Sequence, residues 1–414
     1  MTPMLALIAL RNLSRNRRRT ALALLVVAAG AAALLLTAGF VRHSFNGLGE
    51  AFIRGGLGHL EVMPASRLSA EDGPDRVGPP AFSGWAEARR SIEAMPHVLG
   101  ASGAIVLHGL VGKDERTLPF IGAALEPDRE RRMGLQVRVR GGRPLDAAPA
   151  ADAEDEALLG LGLARQLGAR QGELVTLTTL ASDGTLNALD VRVVGLVTTG
   201  VQDLDSRFLR VHLLTAQRLL VTEAVTSVIV MLDATDETGP AAAEITRQLQ
   251  GREPRVAVAD WESRAPFYGQ VRRLYAGIFR FLGTIVLVLV TLSSSNTLLM
   301  TVMERVREIG ALLAIGTSGG QVVRMIVFEA AWLGLLGGLL GGVIGVAVMS
   351  AIHALGIQTP PPPGAVEPME LRLEILPSDL LWVSVVMVLV LALAALLPAL
   401  RVLRLRIAEA LVHL

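Results

Sequence analysis

Four long apolar runs constrain this chain more than anything else in it: residues 21–40, 276–302, 322–352 and 379–398. About 20 helical residues, rising about 1.5 Å each, cross the roughly 30 Å of hydrocarbon in a bilayer. Inside that layer only a helix or a closed barrel satisfies its own backbone, so each run reads as a membrane-spanning helix. A mean hydropathy of +0.50 agrees with four crossings. Aromatic residues make up only 4% of the chain, so Leu, Val, Ala and Gly must supply the apolar surface.

Orientation follows from the arginines, because short loops rich in Lys and Arg stay in the cytoplasm. Arg11, Arg15, Arg17, Arg18 and Arg19 precede the first run, Arg305, Arg307 and Arg324 lie around the link between the second and third, and Arg401, Arg404 and Arg406 follow the fourth. Both termini and segment 303–321 are therefore expected inside, with residues 41–275 and a Pro-rich loop at 353–378 outside. The expected fold is an α-helical membrane protein with four transmembrane helices and a large mixed α/β extracytoplasmic domain inserted between the first and second. Arg272, Arg273 and Arg280 flank the second run on its outer side. Long domains cross largely regardless of charge, and the second helix is expected to extend beyond the lipid. The first run is longer than the apolar part of a signal peptide, usually about 7 to 15 residues, and is read as a retained span. Residues 1–20 read as an amphipathic basic helix along the inner surface, with Leu5, Ile8, Leu10 and Leu13 among Arg11, Asn12 and Arg15. Residues 399–414 read as a basic cytoplasmic tail.

The outer domain alternates helix and strand signals. A helix is expected over 85–95, then strands over 104–111 and 117–124 around turn-forming Gly112, Lys113 and Asp114. A second helix over 158–167 stops at Gly168, and strands follow at 174–180, 191–198 and 228–232, with a turn at Ser182, Asp183 and Gly184. The Ala, Pro and acid stretch 146–156 reads as a surface loop or a boundary between two lobes.

Catalytic chemistry is hard to find. The chain has no phosphate-cradling G-x-x-x-x-G-K-[ST], no H-E-x-x-H and no G-x-S-x-G, and His59 and His212 read as structural or surface residues. We expect no enzyme activity, no metal and no cofactor in this chain. Its 39 basic and 38 acidic residues leave a net charge of +1, which argues against nucleic acid. The absence of cysteine excludes disulfides, thiolate metal sites and lipidated cysteine. A secondary transporter would carry polar or broken helices near the bilayer centre. Here the polar cluster Ser293, Ser294, Ser295 and Asn296 lies near the inner end of the second run, where a helix terminus explains it as well.

The segment NTLLMTVMERVREIGALLAIGTSGGQVVRMIVFE, residues 296–329, is the most specific. A short charged helix over 304–310 places Glu304 and Glu308 four apart, with Arg305 and Arg307 between them. Such a knob suits docking on a cytosolic partner, and a solvated connecting loop is the plain alternative. In the third run Gly334, Gly337, Gly338, Gly341, Gly342 and Gly345 recur at spacings that let helix backbones approach, within the subunit or across a dimer. Glu329 is an acid about one turn inside that run, a position that suits a headgroup-level or partner-facing role.

The run ERVREIGALLAIGTSGGQVVRMIVFEA resembles the inner loop of the FtsX, LolE and MacB-type ABC transporter permeases, the mechanotransmission type without a fused ATPase. The matching positions are Glu304, Arg305, Glu308, Ile309, Gly310, Ala314, Gly316 and Glu329. Leu313 departs from the pattern, standing where a basic residue is common. GLGLARQLGARQGELVTL and VRVVGLVTTGVQDLDSRFLRVHLLTAQRLL look like the second part of the family's extracytoplasmic domain, and PALRVLRLRIAEAL like its usual ending. The resemblance implies a coupling segment made by Glu304, Arg305, Arg307, Glu308, Ile309, Gly310, Ala314 and Gly316, which receives motion from a cytosolic ABC ATPase dimer. ATP and Mg would be bound in that partner. It also implies a second permease copy or paralogue, an envelope carrier or adaptor, contact with membrane lipid, and a place in the inner (plasma) membrane. The implied work is extraction or export of a lipoprotein, lipid-like or amphiphilic substrate. The alternatives are a non-transporting regulator of a cell-wall hydrolase and a sensor or resistance subunit for an external peptide.

Overall fold

A computed structural model describes residues 17–67, 81–135, 138–146, 154–199, 202–251, 255–359 and 369–403. Residues 1–16 of the amphipathic helix expected over 1–20 lie outside these residues, as do 360–368 of the Pro-rich loop and the tail beyond residue 403. The chain forms two compact units, one from Met1–Asn46, Val271–Thr359 and Glu370–Leu414, the other from Gly47–Gln270 and Pro360–Met369.

The helical unit is built on α1 (Arg17–Phe52), α2 (Pro266–Glu304), α3 (Val306–Ala314), α4 (Gly319–Leu355) and α5 (Pro377–Leu403). All but α3 are long and apolar enough to cross a membrane. Each of the four contains one of the apolar runs and overruns it. Helix α2 begins at Pro266, ahead of the expected 276, so Arg272 and Arg273 sit in its first turns. Helix α4 starts at a capping box, in which the Ser318 N–H donates to Gln321 Oε1 at 2.9 Å, and ends at left-handed Gly356.

The bundle core joins Val27, Ala31 and Leu35 of α1, Val290 and Leu298 of α2, Ile326 and Leu333 of α4, and Met387 and Leu391 of α5. The α4 glycines lie within it. A Cβ on Gly334 would come within 2.7 Å of the Met387 carbonyl oxygen, and one on Gly338 within 2.9 Å of Ser384 Cα. On the adjoining face Gly337 meets Val27, Gly341 meets Ala28 and Ala31, and Gly345 meets Leu35. Gly342 faces Leu380. The stripe therefore packs against α1 and α5 of the same chain. Helix α2 differs, because most of its apolar surface is uncovered, including Phe281, Leu289 and Leu292.

The α/β unit is one ten-stranded sheet, built from β1 (Leu60–Pro64), β2 (Val98–Lys113), β3 (Arg116–Leu125), β4 (Arg138–Gly142), β5 (Asp155–Gly160), β6 (Leu174–Leu180), β7 (Leu186–Thr198), β8 (Phe208–His212), β9 (Ser227–Leu232) and β10 (Val256–Asp260). Its order is β10-β1-β9-β2-β3-β8-β5-β7-β4, with β6 pairing β2 and β7. Leu60, Val62, Ile105, Phe120, Leu159 and Val193 are among the residues of its continuous buried core.

Of the stretch 146–156, residues 147–153 lie outside the described residues, and Asp155 and Glu156 open β5, which pairs with both β7 and β8. The first half of β2 pairs with β9 up to Ala104 and its second half with β3 from Ile105. Two local expectations need correction. The helix expected over 158–167 starts only at Leu161, because Leu158 and Leu159 belong to β5; a short apolar run has no period that separates buried strand from helix. Gly168 does end that helix, at φ +71°. Finally, Gly112 and Lys113 continue β2, and the hairpin turns at Asp114, φ +53°, and Glu115.

Candidate functional site: the bend between the second and third membrane helices

At Arg305 the backbone leaves the helix, with φ −104° and ψ 13°, and this residue separates α2 from α3. The charged helix expected over 304–310 is thus displaced: Glu304 ends α2, and α3 runs from Val306 to Ala314. The fault in the expectation is physical, since charge spacing reports a helical face but not a kink between two helices.

The kink sorts the residues of α3. Val306 and Ile309 are each 4% exposed and Gly310 is also buried, while Arg307, Ala311 and Ala314 face out. Beyond α3, Ile315 is 80% exposed, and Gly316 turns the chain at φ +97°. One face is anchored on the bundle and the other is open.

Arg305 itself points inward. Its Nε donates to Glu308 Oε2 at 3.1 Å and its Nη1 to Glu329 Oε2 at 3.3 Å. The Glu329 side chain is 9% exposed, so this acid of α4 looks into the bundle. Arg19 of α1 makes an ion pair with Glu304 across the same region. Both partners are well exposed there, and such pairs contribute only about 0–1 kcal/mol.

These groups line a cavity of about 280 Å³, together with Ser294, Thr297 and Thr301 of α2. The Thr297 and Thr301 hydroxyls donate to carbonyls one turn back, those of Ser293 and Thr297. Ser294 Oγ is buried and has no hydrogen-bond partner among the described residues. The structure thus gathers Glu304, Arg305, Glu308 and Glu329 and leaves Arg307, Ala314 and Gly316 outside. Sequence reasoning missed Arg19, which it used only to orient the chain, and Ile315. Nothing in sequence spacing links Arg19 to Glu304.

The opposite end of the helical unit is tied differently. Arg42 donates to Asp379 through both Nη atoms, at 2.5 and 2.8 Å, and to the Glu374 carbonyl at 3.2 Å. The Glu374 carboxylate meets His43 Nδ1 at 3.1 Å and accepts from Asn46 Nδ2 at 3.0 Å. Edge-to-face pairs Phe40–Phe279 and Phe45–Tyr275 join α1 to α2 nearby.

In the α/β unit the histidines have structural partners. His59 Nδ1 accepts from the Leu232 N–H at 3.1 Å, and its Nε2 lies 3.2 Å from Thr235 Oγ1. Burial holds the His59 pKa below its ordinary value. His212 Nδ1 caps the helix Leu213–Leu220 by accepting from the Leu214 N–H at 3.0 Å.

Residues 20–248 match the family described as MacB-like periplasmic core domain, and residues 280–407 match the one described as FtsX-like permease C-terminal. The chain therefore belongs to the FtsX-like, MacB-like permeases of ABC transporters, a family of membrane proteins. Among its relatives is LolC of Neisseria meningitidis serogroup B, a lipoprotein-releasing system transmembrane protein, 25% identical over 293 residues that cover 69% of this chain and 67% of LolC. Another is YknZ of Bacillus subtilis, an uncharacterized ABC transporter permease, 25% identical over 158 residues covering 37% of this chain and 40% of YknZ. Two solved structures also match. The extracellular domain of YknZ aligns with a TM-score of 0.36 at 16% identity, covering 49% of this chain and 98% of that domain. The periplasmic region of MacB from Actinobacillus actinomycetemcomitans aligns with a TM-score of 0.37 at 12% identity, covering 51% of this chain and 92% of that one.

Proposed function

We propose that this chain is the permease subunit of an ATP-driven transporter that passes the motion of a separate cytosolic ATPase dimer to a domain outside the membrane. The outer domain lies between the first and second spans, and the work extracts or exports a lipoprotein, lipid-like or amphiphilic substrate. The observation that carries this reading is the two-faced α3, which anchors Val306, Ile309 and Gly310 on the bundle and turns Arg307, Ala311 and Ala314 outward. A short helix fixed on one side and open on the other can take load from a partner without losing its own seat.

In this reading Arg307, Ala314, Ile315 and Gly316 meet the ATPase, Ile309 and Gly310 seat the segment, and Glu304, Arg305 and Glu308 hold its angle. ATP and Mg reside in the ATPase. Helices α1 and α2 flank the α/β unit in the chain, which supports them as the transmitting rods. The similarity to LolC, a transmembrane protein of a lipoprotein-releasing system, supports the class of substrate. A second permease copy or paralogue and an envelope carrier or adaptor would complete the machine in the plasma membrane.

The test is the double variant Arg307→Glu with Ile315→Glu, both exposed, in the full chain purified with the ATPase that co-isolates with it. We expect membrane insertion at the parent level and loss of stimulated ATP hydrolysis. Undiminished stimulation would remove α3 as the docking element.

A further inference from the structure

We infer that Glu329 is a positioning residue: through Arg305 it props the bend after α2, so that load on α3 passes into α4 instead of being absorbed by the kink. The inference deepens the proposed function and rests on reading α3 as the segment that receives the ATPase.

Four observations converge on it. The backbone at Arg305 is not helical and its side chain provides no cap for α3, so the junction is held in the backbone by the Arg305 N–H donating to the Val302 carbonyl at 3.1 Å and the Arg305 carbonyl accepting from the Ile309 N–H at 2.9 Å, with the helical ladder broken between them. The apolar seat of Val306 and Ile309 is buried but non-directional, which resists lifting better than rocking. Beside the junction lies the cavity of about 280 Å³, so the packing around α3 is incomplete on that side. Across it the Arg305 fork ties two helices together, with one prong on Glu308 of α3 and the other on Glu329 of α4. Charge-assisted hydrogen bonds from a planar guanidinium are directional as well as attractive. Glu329 is mostly buried, and a carboxylate there without its cation would pay a desolvation penalty, so the pair resists being opened.

The roles of the two charged residues differ. Glu329 is mostly buried and its bond is to Arg305, so it acts on α3 through that guanidinium. Arg305 is the shared element. Its position at the kink means that any tilt of α3 lengthens one of its two bonds.

The chain contains no cysteine, so spin labels can be placed at will. Exposed Ala311 and Leu339 are changed to Cys, labelled, and the distance between them measured by pulsed electron resonance in the full chain in lipid nanodiscs. The parent should give one narrow distribution. Glu329→Gln should broaden or shift it, and Glu329→Asp, which keeps the carboxylate, should stay closer to the parent. Should Glu329→Gln not reach the membrane, Arg305→Lys, which keeps the charge and loses the fork, should broaden the distribution in its place. A parent-like distribution in the recovered neutral variant, or in Arg305→Lys where that variant stands in for it, overturns the inference. This readout needs no ATPase, so it decides the prop even where docking on α3 fails. With the co-isolated ATPase present, Glu329→Gln should also lower stimulated hydrolysis by about 2- to 30-fold, the range of coupling changes seen along such networks.

Discussion

The two ends of the helical unit are fastened by different means. At the Glu374 end Arg42, His43 and Asn46 of α1 all grip the approach to α5, with two parallel bonds from Arg42 to one carboxylate. At the Arg305 end one guanidinium serves two acids, the Arg19–Glu304 pair beside it is exposed, a cavity opens there, and the buried Ser294 hydroxyl has no partner among the described residues. A bundle clamped at one rim and propped at the other bends where the prop is. That is the place where α3, the proposed docking element, begins.

The largest effect should come from undoing the clamp. Arg42→Ala removes two charge-assisted bonds and leaves Asp379 without its cation, a loss of about 2 kcal/mol on the scale of hydrogen bonds to charged groups. Thermal unfolding in detergent should show it as a clear drop in midpoint. A drop no greater than that of Glu329→Gln would mean that the ends are equally firm and the contrast is false.

A smaller effect should separate the helical unit from the α/β unit by pH. Burial lowers the His59 pKa, so between the folded value and the ordinary value of about 6.5 the unfolded chain binds the extra proton. The contribution of His59 to stability is therefore complete above about pH 6.5 and declines as pH falls through that window. His97 works in the opposite sense, since the hydrogen bond to Asp233 raises its pKa and its contribution is lost as pH rises through the raised value. Amide exchange at Leu232, whose N–H donates to His59, should quicken below pH 6.5 in the parent, and His59→Gln should flatten that dependence. Equal acceleration in α4 would show that the two units do not respond separately.

The smallest change is expected at the loose end. Ser294→Ala removes a buried hydroxyl that has no hydrogen-bond partner among the described residues, and should shift stability by no more than about 0.5 kcal/mol. A loss comparable to that of Arg42→Ala would show the hydroxyl to be held in a bond, and the Arg305 end to be more tightly built than its cavity suggests.

Much of this was legible in the sequence, and the rest was not for definite reasons. Membrane helices announce themselves by length and apolarity, and the strand Leu174–Leu180 by alternation closed with Gly184. The stretch Leu158–Leu167 misled because its first residues are buried on a central strand, where apolar runs lose their period. The change of strand partner inside β2 has no local signature, since it depends on partners far along the chain. The same holds at the bend. Glu304, Arg305, Glu308 and Glu329 stood out as a motif, but the inward direction of Arg305 depends on an acid 24 residues away. The pairing of Arg19 with Glu304 spans most of the chain.

The glycine stripe of α4 has a practical consequence. Its grooves are already occupied by Val27, Ala28, Leu35 and Ser384 of the same polypeptide, so a bulkier allele at Gly337 or Gly341 would injure the fold of one subunit before it disturbed any association. A genetic screen that scored such alleles by lost complex would be reading misfolding. Residues that report on assembly are better sought along the uncovered ridge of α2.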